Sequence, residues 1–259
     1  MKVIEPPSEI LPITRRTDAD AVALAAYQQL FVLLDGLSPA DWSAPTQCAG
    51  WTVRDMVGHL LGAARANASM RENLRQQAWG VRHRRPYGGN PLDAVNALQI
   101  ADHARLDSNQ LLHALRDVAP TAIKARMRTP AAMRAVSVPL ATGGSTANGM
   151  PRRVNLGHLV DVIYTRDVWM HTVDIGRAVE RQLNFTASVN HRIVADVVAE
   201  WTRRHRQPVD VILGGPAGGH YRSADYAGDA AVEYDAIEFC RILSGRAPGA
   251  GLMATRVLF

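Results

Sequence analysis

The stretch VDVIYTRDVWMHTVDIGRAV, residues 160–179, places two carboxylates and an imidazole on a pattern typical of a core-facing helix. Asp167 and His171 are four residues apart, and Asp174 follows about one turn later. At helical spacing they share a stripe with apolar residues such as Val160 and Ile163. Burying such groups without partners costs several kcal/mol, so we expect them to have partners. A divalent metal is the simplest such partner for the carboxylates and the imidazole.

The same spacing also fits a purely structural role. Asp167 would then pair with Arg166 or Arg177, and His171 would lie at a helix interface. Asp174 either orients a ligand imidazole as a hydrogen-bond acceptor or forms an ion pair with an arginine of another helix. The spacing alone does not decide between these interpretations.

A metal site on this helix needs a third ligand from another element, and His59 is the natural candidate. It lies in GWTVRDMVGHLLGAARANASM, residues 50–70, where Thr52 and Asp55 have the spacing of a capping box. His59 shares a helical face with Met56 and Ala63. Two histidines and one carboxylate suit zinc, and less distinctively iron, nickel or manganese. The alternative is a hydrogen-bonded core histidine.

The order of the predicted elements favours an α+β protein with two domains. We expect an N-terminal extension over residues 1–17, a bundle of four principal helices over 18–184 and a small α+β domain over 185–259. In the small domain, PVDVIL reads as a strand, GGPAGG as a tight hairpin connection, and the final LMATRVLF as a strand. Residues 120–150 lack periodicity and predict a long loop that lines the pocket.

Composition excludes several classes of protein. The formal charge is +5 and the pI about 9.6, but basic and acidic residues alternate along the chain, which does not favour a nucleic-acid partner. The basic cluster Arg82 to Arg85 resembles a solvated helix end. Cys48 and Cys240 lack metal-type spacing and predict plain thiols rather than a disulfide. With neither a membrane span nor a signal-peptide pattern, we expect a cytoplasmic protein.

The string LSPADWSAPTQCAGWTVRDMVGHLLGAA, residues 37–64, together with the D-x-x-x-H-x-x-D helix at 167–174, resembles the mycothiol-dependent maleylpyruvate isomerase family. This family belongs to the DinB-like metalloenzyme superfamily, so the resemblance implies a DinB-like four-helix bundle. The end of the chain is similar to the small sterol-carrier-like domain that follows the bundle in these proteins. The resemblance therefore covers nearly the whole chain.

The resemblance implies that His59, Asp167 and His171 are the metal ligands. The family pattern is altered at one of them, because aspartate stands at 167 where the isomerase has glutamate. It also implies a catalytic arginine from the small domain, for which Arg241 and Arg246 are the candidates. Both arginines have the alternative role of capping their helix.

The activity implied by the resemblance is metal-assisted thiol chemistry on a small electrophilic substrate, with zinc as the expected metal and mycothiol as the thiol cosubstrate. The thiolate adds to a double bond and leaves again in an isomerase, whereas an S-transferase releases the conjugate. Two other classes stay open. One is a non-catalytic binding protein on the same scaffold, and the other is a metal-dependent hydrolase that needs no thiol.

Overall fold

The computed structural model describes residues 10, 12–14, 18–140, 150, 153–183, 187–228 and 231–259. Most of the predicted extension 1–17 and of the segment 141–152 lies outside these residues. The chain divides into two compact units. The bundle unit comprises Ala23–Thr146 and Pro151–Leu183, and the C-terminal unit comprises Met1–Val22, Ala147–Met150 and Asn184–Phe259.

The bundle unit is predominantly helical, as the predicted fold class requires. Helix α2 is its centre and packs against α3, α4, α5 and α8. In sequence order the helices are α1 (Ala19–Asp35), α2 (Val53–Ala68), α3 (Met70–His83), α4 (Pro91–His103), α5 (Ser108–Met127), α6 (Ala131–Arg134), α7 (Leu156–His158) and α8 (Tyr164–Ala178).

Two helix boundaries differ from the sequence prediction. The sequence pattern continues the helix of His59 beyond Arg65, but α2 ends at Ala68. The Ser69 side chain then accepts a hydrogen bond from the Glu72 backbone N–H and caps the start of α3. The apolar periodicity of residues 91–118 predicts a single helix, but the structure has two, because Asp107 forms a capping box with Gln110 and starts α5. Helix α5 then continues through Pro120, into the segment where a loop was expected.

The segment before the Asp167 helix is also more elaborate than predicted. The sequence pattern predicts a helix from about Arg153 to Glu180, but its first residues form β2 (Arg153–Asn155), which pairs antiparallel with β1 (Ser137–Pro139). Helix α7 follows, and a π-helical turn, Leu159–Ile163, leads into α8. Such π-helical insertions occur frequently at functional sites, and this one lies four residues before Asp167.

The C-terminal unit packs helices α9 (Ala187–His205) and α10 (Ala236–Ser244) with a three-stranded sheet. The strands, in the order β4-β3-β5, are β3 (Asp210–Gly214), β4 (Gly219–Arg222) and β5 (Val232–Asp235). Strand β3 pairs antiparallel with β4 and parallel with β5. The predicted strand PVDVIL and the hairpin connection after it are confirmed.

The prediction of a terminal strand at LMATRVLF is wrong. Gly251–Ala254 is a 3₁₀ turn, and the residues after it lie outside any strand. The apolar alternation has another cause, since Val257 and Leu258 are buried and the Val257 N–H donates to the Leu243 carbonyl at 3.0 Å. The pattern of DAAVEYDAIEFCRILSGR, residues 229–246, likewise predicts one helix, but Val232–Asp235 form strand β5 and α10 begins at Ala236.

Within the described residues, none of the helices combines the length and the apolar character needed to cross a membrane.

Candidate metal centre

A capping box fixes where α2 begins and therefore which residues of α2 face the core. The Asp55 backbone N–H donates to Thr52 Oγ1 at 3.2 Å, and the Thr52 N–H donates to Asp55 Oδ2 at 2.9 Å. This is the box that the sequence predicts. His59 follows two turns later on the buried face and is 6% exposed.

The three predicted ligand residues lie together. The Nε2 atom of His171 lies 3.3 Å from Asp167 Oδ1, and the Nε2 atom of His59 lies 3.6 Å from Asp167 Oδ2. One ligand atom from each residue fits within 4.8 Å of the others. Two imidazole nitrogens and one carboxylate oxygen at this spacing form a donor set that suits a divalent ion such as zinc. Whether they bind one stays a prediction.

Asp167 is the accessible member of the cluster. Its side chain is 26% exposed, whereas those of His59 and His171 are 8% and 7% exposed. Among the described residues, the ion-pair partners of Asp167 are these two histidines. The alternative in which Asp167 pairs with Arg166 or Arg177 is therefore wrong.

The cluster perturbs the protonation of its own members. Burial by itself raises the pKa of Asp167, but the neighbouring His171 and His59 imidazoles outweigh it and hold that pKa far below its usual range. Burial lowers the pKa of His171, but the Asp167 and Asp174 carboxylates raise it well above the ordinary histidine value. Both shifts favour the charged forms, an ionised Asp167 and a protonated His171.

Each histidine uses its second ring nitrogen to contact a buried polar partner. The Nδ1 atom of His171 lies 3.0 Å from Asp174 Oδ2, and Asp174 is fully buried. The Nδ1 atom of His59 lies 2.8 Å from Gln99 Oε1 on α4. Both rings therefore direct Nε2 towards Asp167. Asp174 takes the orienting role that the sequence offered as one of two alternatives, whereas Gln99 was missed.

Trp51 packs against both histidines of the cluster. Its ring centroid lies 5.1 Å from that of His59 and 6.2 Å from that of His171. Trp51 and Ile100 also line a cavity of about 390 Å³ in the bundle unit, together with Asp55, Tyr87 and Asp93. The indole thus forms a wall shared by the histidines and a space of small-molecule size. Trp169, by contrast, is fully buried.

A second set of potential ligands overlaps the first. Cys48, His171 and Asp174 also offer atoms within 4.8 Å of one another, and Cys48 Sγ lies 3.9 Å from Asp174 Oδ2. Asp174 is 0% exposed, so this set offers less access to a substrate than the set that contains Asp167. We therefore place the candidate centre at His59, Asp167 and His171. Cys48 and Cys240 are not joined by a disulfide, in line with the prediction of plain thiols.

The two candidate catalytic arginines lie in the C-terminal unit. Arg241 on α10 is 5% exposed, and its Nη1 lies 2.5 Å from Glu238 Oε1. The Arg246 backbone N–H donates to the Arg241 carbonyl at 2.9 Å, at the end of the helix. Their catalytic role stays a prediction.

Fold and site together define the class of this protein: a helical bundle with a two-histidine, one-carboxylate cluster at its core, followed by a small α+β unit. The profile of one family, described as the mycothiol maleylpyruvate isomerase N-terminal domain, matches residues 23–176. This is more than half of the chain, so the chain belongs to that family. The members of this family are enzymes.

Solved structures give the same fold. The chain is similar to the crystal structure of the mycothiol-dependent maleylpyruvate isomerase, with 18% identity, a TM-score of 0.53 and coverage of 90% of this chain and 92% of that chain. A histidine-to-alanine mutant of that isomerase matches at 19% identity with the same TM-score of 0.53 and the same coverage. No curated protein matches the chain.

Proposed function

We propose that this protein is a metal-dependent, mycothiol-using isomerase that acts on a cis-unsaturated small molecule of the maleylpyruvate type. The observation that carries the proposal is the convergence of His59 on α2 with Asp167 and His171 on α8. Both helices lie almost entirely within the segment that matches the isomerase family.

His59, Asp167 and His171 would hold the metal, with zinc the expected ion. When bound, such an ion lowers the pKa of a coordinated thiol and so favours the thiolate. The chain's own contribution is to orient the donors. Gln99 and Asp174 hold the two imidazoles from behind, and Asp167 supplies the negative charge on the accessible side.

Aspartate in place of glutamate is compatible with this proposal. The Asp167 carboxylate is one methylene closer to the backbone, yet its two oxygens already face the two Nε2 atoms at 3.3 and 3.6 Å. The shorter side chain therefore reaches both histidines.

The isomerisation requires a thiolate and a double bond conjugated to a carbonyl group. The thiolate sulfur forms a bond to one alkene carbon while the π electrons move towards the carbonyl, and rotation about the resulting single bond follows. The electrons then return, the carbon–sulfur bond breaks, and the thiol is recovered unchanged. In this proposal, Arg241 or Arg246 neutralises the negative charge of the substrate.

The test is an assay of zinc-loaded protein with maleylpyruvate, with and without mycothiol, in which chromatography separates the cis and trans isomers. We expect trans product only when mycothiol is present, with no net consumption of thiol. His59→Ala and His171→Ala should abolish the activity, whereas His113→Ala, an exposed histidine on α5, should retain it.

The other outcomes identify the alternatives. Accumulation of a sulfur conjugate with loss of free thiol would show an S-transferase. Formation of hydrolysis products without any thiol would show a hydrolase. Absence of turnover by the zinc-loaded protein, with or without mycothiol, would contradict the proposal and favour a binding protein.

A further inference from the structure

Two buried glutamines connect His59 to the backbone of its own helix. The Nδ1 atom of His59 lies 2.8 Å from Gln99 Oε1, and Gln99 Nε2 donates to Gln76 Oε1 at 2.8 Å. Gln76 Nε2 then donates to the Gly62 carbonyl at 3.0 Å. Gln99 and Gln76 are 4% and 1% exposed, so solvent does not compete for these bonds.

The orientation of the Gln76 amide, at the far end of this series of hydrogen bonds, is determined by its acceptors. Gln76 Nε2 faces the Gly62 carbonyl and, at 2.9 Å, Glu72 Oε1. A carbonyl can only accept a hydrogen bond, and so can an ionised carboxylate. Hydrogen bonds from Arg75 lower the pKa of Glu72, which keeps it ionised at neutral pH. Gln76 must therefore present its NH₂ group here and its oxygen towards Gln99.

This polarity propagates to the histidine. Since Gln76 offers an oxygen, Gln99 must offer its NH₂ group to Gln76, which leaves the Gln99 oxygen facing His59. An oxygen at that position requires a proton on Nδ1 of His59. The two acceptors beside Gln76 Nε2, the Gly62 carbonyl and the Glu72 carboxylate, thus determine the orientation of both amides.

We propose that Gln99 and Gln76 are positioning residues, which act as a polarised amide relay that holds neutral His59 as the Nδ1–H tautomer and leaves the Nε2 lone pair for a metal. The relay matters because a neutral imidazole otherwise distributes its proton between both nitrogens, and only an unprotonated Nε2 can bind an ion.

Gly62 makes room for this relay. A Cβ atom at position 62 would lie 2.5 Å from both Cβ and Cγ of Gln99. The glycine three residues after His59 thus allows α4 to approach α2 closely enough for Gln99 to reach the imidazole. The His-Leu-Leu-Gly sequence at 59–62 combines the candidate ligand with the space for its orienting partner.

The tautomer is measured by long-range ¹H–¹⁵N correlation NMR of metal-free protein labelled at its nine histidines. His59→Ala identifies the His59 signals. We expect the Nδ1–H pattern in the wild type. A proton on Nε2 of neutral His59 in the wild type would overturn the proposal, without any variant being needed.

Two variants separate positioning from packing. Gln99→Leu removes the acceptor, so His59 should move to the Nε2–H form, and zinc affinity should fall about 10- to 100-fold. Gln99→Glu also loses the bond to Gln76 but keeps an acceptor, so it should retain the Nδ1–H form. Gln77→Leu, an exposed glutamine next to Gln76, should change neither. Identical tautomers in Gln99→Leu and the wild type would contradict the relay.

The affinity measurement rests on the proposed function, because it presumes that this cluster binds zinc. The tautomer measurement does not. Failure of the wild type to bind zinc, together with a normal Nδ1–H tautomer, would reject the metal site and leave the relay intact.

Discussion

The His171 ring lies with Nε2 3.3 Å from the Oδ1 atom of Asp167, the residue one helical turn before it on α8. Asp167 also faces His59, so it joins the two helices that form the site. We expect Asp167→Asn to lower zinc affinity by more than about 100-fold, since it removes the single negative charge among the three proposed ligands.

Asp167→Glu is the matched control, because it keeps the charge and only lengthens the side chain. We expect it to bind zinc within about tenfold of the wild type. Competition with a chromophoric chelator measures both constants. Equal affinity of Asp167→Asn and the wild type would show that the carboxylate is not a ligand.

The two overlapping ligand sets make different predictions for Cys48 and Asp174. If the metal is bound by His59, Asp167 and His171, Cys48→Ser should retain full zinc occupancy. Asp174→Asn should weaken binding about 10- to 100-fold, because the amide orients the His171 ring less strongly than the carboxylate does. Loss of zinc in Cys48→Ser, with retention in His59→Ala, would instead assign the site to the second set. Elemental analysis after dialysis measures the zinc content of each variant.

Two glycines of α2 should respond oppositely to alanine. Gly62→Ala places a methyl group 2.5 Å from the Gln99 side chain and 3.1 Å from its Cα, so we expect a loss of stability of about 1–3 kcal/mol. At Gly58 the nearest atom to the new methyl would be His103 Cβ at 3.7 Å, an ordinary contact. Gly58→Ala should therefore be neutral or stabilise α2 by up to about 1 kcal/mol.

Urea unfolding of metal-free protein, followed by circular dichroism, measures both glycine variants. Equal stability of Gly62→Ala and Gly58→Ala would argue against the close approach of α4 to α2.

The capping box before α2 provides a test of the scaffold. Thr52→Ala removes the acceptor for the Asp55 N–H, and we expect it to reduce the free energy of unfolding by about 1 kcal/mol. Thr52→Ser keeps the hydroxyl and should restore most of that loss. The same unfolding experiment applies, and a Thr52→Ala variant as stable as the wild type would show that the box contributes nothing to α2.

The cluster of His59, Asp167 and His171 could be predicted from the sequence because each part of it follows from the spacing of residues on a helix. Asp167 and His171 are one turn apart on an apolar stripe, and the Thr52 box fixes the phase of His59. Both features are local. They required only that α2 and α8 pack together, which the apolar faces and the family resemblance indicated.

The relay was not predictable in the same way, because it depends on three helices meeting. Gln76 lies on α3, and the cap at Ser69 is what separates this helix from α2. Without that cap the two helices read as one. Gln99 lies on the buried face of α4 beside Val95 and Leu98, and a lone amide on such a stripe was the available signal. That Gln99 contacts His59 follows only from the close approach of α4 to α2 at Gly62.

The errors in the C-terminal unit have a different origin. The apolar residues in LMATRVLF satisfy the pattern for a strand, but Met253, Val257 and Leu258 are buried outside any strand, and the Val257 N–H donates to the Leu243 carbonyl of α10. Pairing partners are non-local, so period alone does not establish a strand.

Elemental analysis of protein purified without chelator or affinity-tag metal tests the central claim most directly, with His59→Ala, His171→Ala and the exposed-site control His113→Ala prepared alongside. We expect about one equivalent of zinc or another divalent ion in the wild type and the control, and loss of that metal in the two site variants. A wild-type protein that holds no metal even after zinc is added would rule out a metal centre at this cluster.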